Sequence, residues 1–144
     1  MNEVEVIILK KQIPKVLRDF LIYLTTIKGK SMRTRKEYEY DLVVFFRFLK
    51  AIYNDIELSE FDKIAIDDIT IDFIKEISLE DIYMFLEYCE TQRNNSAASR
   101  ARKAATIKSF FKYLKGKRRL IEENPAEELE SPKTGKRRPI YMSL

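Results

Sequence analysis

Two basic clusters, each opening a stretch with helical spacing, hold the residues best suited to chemistry, and that chemistry is contact with a polyanion. The first, KGKSMRTRKEY, sets Lys28, Lys30, Arg33, Arg35 and Lys36 around a turn and a helix start, with Ser31 and Thr34 as short hydroxyl partners. Cations gathered at a helix N-terminus suit phosphate, because the helix dipole and its unpaired N–H groups add to their charge. The second cluster is SAASRARKAATIKSFFK, entered through Asn94, Asn95 and Ser96. On a 3.6-residue wheel Ala98, Ala101, Arg102, Ala105, Lys108, Ser109 and Lys112 share the side opposite Ile107 and Leu114. Small residues there let the backbone approach closely while the long cations reach phosphates or base edges. Arg100 and Lys103 fall nearer the core side, in first turns that can project past the end of a bundle. Periodicity alone equally permits a solvated basic face whose alanines serve helix propensity. Tyr38 and Tyr40 invite comparison with stacking platforms for single strands, but Tyr38 falls on the core stripe, where packing is its expected role.

Other chemistries lack their residues. In 144 residues there is no histidine, one cysteine and no glycine-rich loop, so zinc sites, Ser/His or Cys/His pairs, P-loops and dinucleotide fingerprints are excluded. The acid pairs Asp67–Asp68 and Glu122–Glu123 are read as solvated surface rather than a divalent-ion site. No catalytic residue, metal or cofactor is expected. Cys89, within the apolar stretch IYMFLEYCE, is expected to be a small buried hydrophobe.

The net charge of +4 conceals three blocks. Residues 1 to 50 carry 11 Lys/Arg against 6 Asp/Glu, residues 51 to 90 carry 2 against 12, and residues 91 to 144 carry 14 against 5. One fold can therefore present a cationic and an anionic face. The elements behind these clusters are helical, since three glycines and four prolines punctuate apolar residues at helical spacing. A first helix is predicted over Pro14 to Ile27, with Val16, Phe20, Leu21 and Leu24 inward, ending at Gly29. A second runs from Arg33 to Tyr53 along Tyr38, Leu42, Phe45, Leu49 and Ile52. The acidic, isoleucine-rich stretch that follows has no clean period: a short helix near Ile69 to Ile77 is expected, and KIAIDDITI fits a brief strand as well as a loop. Ser78 and Asp81 form a capping-box pattern for a third helix reaching Thr91 along Ile82, Phe85, Leu86 and Cys89. A fourth spans Ala97 to Leu114, with Ala104, Ile107, Phe110, Phe111 and Leu114 inward and Gly116 as its stop. Asn124, Pro125 and Glu127 suit the start of a short extra helix reaching Leu129.

Thr34, Tyr38, Asp41, Leu42 and Phe45 in TRKEYEYDLVVFFRFL resemble the T-x-x-x-Y-x-x-D-L-x-x-F signature of tyrosine recombinase core-binding domains (phage integrase or Xer type). SRARKAATIKSFFKYL resembles the helix that follows, and Asn124-Pro125, Ser131-Pro132-Lys133 and Pro139 resemble that domain's exit. The resemblance implies an all-α, four-helix SAM-like core-binding bundle with a short extra C-terminal helix and a basic linker. It implies duplex DNA as partner, clamped together with a catalytic domain and neighbouring recombinase protomers. Carried over by position, the DNA-facing residues are Arg33, Thr34 and Arg35 and, on the later helix, Arg100, Arg102, Lys103 and Lys108; Lys30, Lys36, Ser96 and Lys112 join them from the basic clusters. The family's catalytic arginines, lysine, histidines and tyrosine are implied to lie beyond residue 144, so Tyr141 is not a candidate nucleophile and this chain alone is not expected to be an enzyme. Ala104, where the family usually has a larger aliphatic, and the long acidic stretch from Asn54 to Ile77 depart from the pattern.

The expected organisation is an N-terminal extension over 1 to 12, the core-binding domain over 13 to 130, and a linker with the start of a catalytic domain over 131 to 144. With no apolar run near the ~18 residues of a membrane span and acids in MNEVEVIILKK where a signal peptide is basic, a cytoplasmic location is expected. Two other readings stay open. The third and fourth helices with their short turn also fit a stand-alone helix-turn-helix regulator, and the acidic block also fits a protein-interaction module that docks a basic partner.

Overall fold

The computed structural model describes residues 12 to 133, so all but the last residue of the expected N-terminal extension, the expected linker from residue 134 on, and Tyr141 lie outside the described residues. The chain forms α1 (Lys15–Ile22), α2 (Met32–Tyr53), the short α3 (Ile71–Lys75), α4 (Leu79–Thr91) and α5 (Ala97–Lys112). Both α1 and α5 continue into a π-helical turn, Tyr23–Ile27 and Tyr113–Lys117. No strand occurs among the described residues. The architecture is the expected all-α bundle, with α4 and α5 corresponding to the predicted third and fourth helices.

Local chemistry sets the boundaries. The Ser31, Ser78 and Ser96 hydroxyls each accept the N–H three residues on, opening α2, α4 and α5, and Asp81 completes the capping box at Ser78. The four long helices are followed by a left-handed residue at Gly29, Asp55, Asn94 and Arg119. Glycine adopts that conformation freely and Asn or Asp tolerates it. The stop after α5 is thus Arg119 and not Gly116, which lies inside the terminal turn. Asn124 Oδ1 accepts the Ala126 N–H at 2.8 Å, and the Glu127 and Leu129 N–H groups bond back to Asn124 and Ala126. The expected short C-terminal element is present as these successive turns, pinned by buried Ala126 and Leu129.

A chain of phenylalanines ties the helices together. Phe85 of α4 meets Phe45 of α2 edge-on at 5.1 Å, Phe46 meets Phe110 of α5 at 5.7 Å, and Phe110 meets Phe20 of α1 at 5.4 Å. All five are essentially inaccessible to water. Edge-to-face pairs of this kind contribute about 0.5 to 1.5 kcal/mol each beyond their area burial. Ala104 is buried too, and the core closes over it without a larger aliphatic.

Two stripe assignments shift. In α1 it is Leu17, not Val16, that is fully buried with Phe20, Leu21 and Leu24. In α2 Ile52 is exposed while Phe48 and Ala51 are buried. Alternating steps of four and three average 3.5 residues, so over two heptads the row drifts about 40° around a 3.6-residue helix and leaves the core side.

The acidic stretch after α2 is an ordered strap. A 3-10 turn (Leu58–Lys63) seats Phe61 against Tyr88, and Ile64, Ile66, Ile69, Ile74 and Ile77 point inward. The alternation in KIAIDDITI is thus an inside–outside pattern over Ile64 to Ile66, interrupted by a turn at Asp67 and Asp68 before Ile69 turns inward, and no strand forms there. Arg47 Nε donates to the Ile64 carbonyl, and Lys50 Nζ donates to the Ala65 carbonyl and to Asp68.

Candidate nucleic-acid interface

Packing α5 beside α2 brings the two predicted basic clusters to one place. Arg33, Lys36, Glu37 and Tyr40 of α2 and Arg102 of α5 line a groove of about 510 Å³. Arg33 projects freely, its side chain 90% exposed and only loosely paired with Glu37 at 3.9 Å. Lys30 and Lys36 are exposed, whereas Thr34 is half-buried and held by Ser31, whose hydroxyl donates to the Thr34 hydroxyl at 3.1 Å. Arg35 turns back, donating from Nη1 to Thr25 Oγ1 at 3.2 Å, and so braces α2 against the end of α1.

The predicted outward side of α5 is outward. Ala98, Arg102, Ala105, Lys108 and Lys112 are exposed, Ala101 and Ser109 are half-buried, and Ser96 sits exposed at the cap. Lys108 and Lys112 continue the cationic row into a second groove of about 610 Å³, where Lys115 and Arg119 join them beside Asn124. This second set was not singled out from the sequence, because Gly116 was taken as the stop of the helix and Lys115 and Arg119 lie at or beyond that boundary.

Lys103 and Arg100 do not join that face. The Lys103 side chain is 3% exposed, its ammonium 3.7 Å from Asp41 Oδ1, hydrogen-bonded to Ser99 Oγ and 5.6 Å from the centre of the Tyr40 ring. It cannot reach a phosphate without leaving this cage, which corrects the expectation that it projects past the bundle end. Arg100, 18% exposed, lies 3.6 Å from Glu90 and ties α5 to α4.

The centre of the cage is Asp41, a carboxylate with no exposed surface. Arg102 grips it with two bonds, Nη2 to Oδ1 at 2.6 Å and Nε to Oδ2 at 3.2 Å, and Thr106 Oγ1 donates to Oδ2 at 2.9 Å. These bonds to Asp41 hold the Arg102 proton more tightly than usual. Paired, fork-shaped hydrogen bonds fix orientation as well as charge. Arg102 therefore has two tasks: its inner edge is locked to Asp41 while the side chain, 43% exposed, faces the groove. Sequence reasoning placed Asp41 in a signature without a role and missed Thr106. The available sign was a carboxylate beside Leu42 on the core stripe, since a buried charge demands partners.

Residues 56–118 match the profile of the "Phage integrase, N-terminal SAM-like domain". A tyrosine recombinase XerC from Caldanaerobacter subterraneus subsp. tengcongensis is 44% identical over 135 residues, covering 91% of this chain and 37% of its own length. Residues 56–118 of the chain are thus similar to a phage-integrase SAM-like domain. A tyrosine recombinase from Pseudothermotoga lettingae is 31% identical over 89% of the chain, and a XerD from Listeria monocytogenes 29% identical over 90%. The chain spans under two-fifths of the length of these curated relatives. No solved structure matches it. Among the described residues no helix is long and apolar enough to cross a membrane, and no three His, Cys, Asp or Glu side chains gather as metal ligands.

Proposed function

We propose that this SAM-like domain is the DNA-holding, core-binding part of a Xer-type site-specific tyrosine recombinase. It grips duplex DNA, and the strand chemistry belongs to a catalytic domain corresponding to the part of the relatives this chain does not span. Its working partners are then double-stranded DNA, that catalytic domain and neighbouring recombinase protomers, in the cytoplasm. One observation carries the reading: cations from two helix starts, Arg33 and Lys36 on α2 and Arg102 on α5, converge on one groove, with Lys108 and Lys112 extending the row along α5. Cations at separate points along a rigid framework can engage phosphates on both sides of a DNA groove. Lys30, Ser96 and Thr34 flank this surface as secondary contacts.

The test is a titration of labelled duplex with the 144-residue chain over a range of salt. If about four to six phosphates are neutralised, log K falls with log salt at a slope of roughly −4 to −5. Affinity independent of salt overturns the proposal. Inertness toward DNA would favour the module in which the acidic strap docks a basic protein.

A further inference from the structure

The groove contains one large ring among its charges. Tyr40 lines it together with Arg33, Lys36, Glu37 and Arg102, and 51% of its surface is exposed. The ring is fixed from two directions. Caged Lys103 holds its ammonium over the ring, 5.6 Å from the centre, and Arg93, beyond the end of α4, donates from Nη2 to the Tyr40 hydroxyl at 3.0 Å. Exposed aromatic side chains ordinarily turn between rotamers, so a ring pinned at both its hydroxyl and one face loses little entropy on meeting a ligand.

The wall beside it identifies what that ligand presents. Arg33, Lys36 and Arg102 suit phosphates, but Glu37 stands among them, and a carboxylate repels a phosphate placed against it. The space between Glu37 and Tyr40 therefore suits the uncharged part of a nucleotide. Base edges in the major groove offer an amino donor to a carboxylate and, on thymine, a methyl group to an apolar surface.

We propose, resting on the DNA-holding reading above, that Tyr40 is a specificity-determining contact whose ring takes the apolar edge of a nucleotide while the surrounding cations hold the flanking phosphates. That edge is the thymine methyl or the deoxyribose, and one experiment separates them. Binding of the full chain to an alternating A·T duplex, and to the same duplex with deoxyuracil replacing thymine, is measured by fluorescence anisotropy over a range of salt for wild type, Tyr40→Ala, Tyr40→Phe and Lys36→Ala. Thermal melting checks that each variant is folded, and Tyr40→Gln stands in if the alanine variant is not.

Tyr40→Ala is expected to bind the A·T duplex about 5- to 10-fold more weakly at every salt concentration with an unchanged slope, because it removes an apolar contact and no cation. Lys36→Ala should instead lower the slope by about one. Tyr40→Phe keeps the ring and loses only the Arg93 bond, so it should weaken binding about 2-fold. A Tyr40→Ala deficit that vanishes on the deoxyuracil duplex assigns the thymine methyl; a deficit equal on both assigns the sugar. Tyr40→Ala indistinguishable from a salt-sensitive wild type overturns the inference and leaves the DNA-holding reading standing. A lowered slope for Tyr40→Ala, or a Tyr40→Phe as impaired as the alanine variant, also overturns it, since the tyrosine would then act through its neighbouring cations. A wild type that binds neither duplex overturns both proposals.

Discussion

Asp41→Asn is the substitution that asks most of this structure. The asparagine fits the same space and keeps one oxygen for Thr106 and Arg102, but it removes the charge and turns an N–H group toward donors. Arg102, 43% exposed, can recover part of its loss from water; Lys103, 3% exposed, cannot. The Lys103 ammonium is left with Ser99 Oγ and the Tyr40 ring, neither of which carries a counter-charge. Removing one partner of a buried ion pair costs about 3 to 5 kcal/mol, and the solvated side of Arg102 argues for the lower end. About 3 kcal/mol in a domain of this size lowers the melting temperature by roughly 10 to 15 °C, measurable by far-ultraviolet circular dichroism. Lys103→Met removes the stranded charge while keeping the stem, so Asp41→Asn/Lys103→Met should recover at least about 1.5 kcal/mol relative to the sum of the single changes. A melting temperature within about 2 °C of wild type for Asp41→Asn, or strict additivity in the double variant, refutes the cage as described.

Four further outcomes are expected. Lys108→Ala should weaken DNA binding and lower its salt slope by about one without shifting the melt, since its side chain is exposed; Arg102→Ala should do both, costing roughly 1 to 2 kcal/mol because Asp41 keeps Lys103 and Thr106. Phe111→Ala should cost about 3 to 5 kcal/mol in a denaturant melt, as a fully buried ring leaves a cavity. Burial pushes the Cys89 thiol up to about 11, so it should resist a thiol reagent near neutral pH until the chain unfolds, and stability should fall as pH rises from about 9, where the unfolded thiol releases its proton, to about 11, where the folded one does; rapid labelling of the native protein contradicts this. Finally, the chain has eight tyrosines but no histidine to act as acid or charge stabiliser, so a suicide DNA substrate should give no denaturation-resistant adduct, and an adduct mapped to any tyrosine here overturns the division of labour.

Helix positions were legible in the sequence because their signals are local. Ser31, Ser78 and Ser96 cap within three residues, and the core side of α5 follows from spacing alone. The errors arose where a pattern ran long or where two segments had to meet. Ile52 failed because a 3.5-residue row drifts around a straight helix. In the strap the short helix expected near Ile69 to Ile77 is present as Ile71–Lys75, but the rest was not legible, because its isoleucines are buried in a core shared with the other helices and no periodicity records a partner elsewhere in the chain. Lys103 failed for the same reason in electrostatic form: on a wheel it is a cation near an edge, and only the approach of Asp41, sixty-two positions earlier, makes it a buried one. The groove itself is a product of helix packing, so its members could be named singly but not as a set.

The distribution of charge along α2 explains how a basic domain can also be discriminating. The helix has 22 residues, about 33 Å of rise, and its two ends are treated oppositely. At the N-terminal end Arg33 and Lys36 are exposed on the groove, whereas at the C-terminal end Arg47 and Lys50 are tied to the strap, whose acids remain on the surface. The acidic block thus withdraws two cations from the far end and adds negative charge there. A polyanion approaching that end is repelled, and one approaching the groove is attracted, so the field orients the encounter before any contact forms. Within the groove the same economy holds at shorter range: Asp41 consumes Lys103, fixes one edge of Arg102 and leaves its other edge for the ligand. Charge that a wheel diagram counts as uniformly available is divided by the fold between holding the helices together and facing the groove proposed to meet DNA.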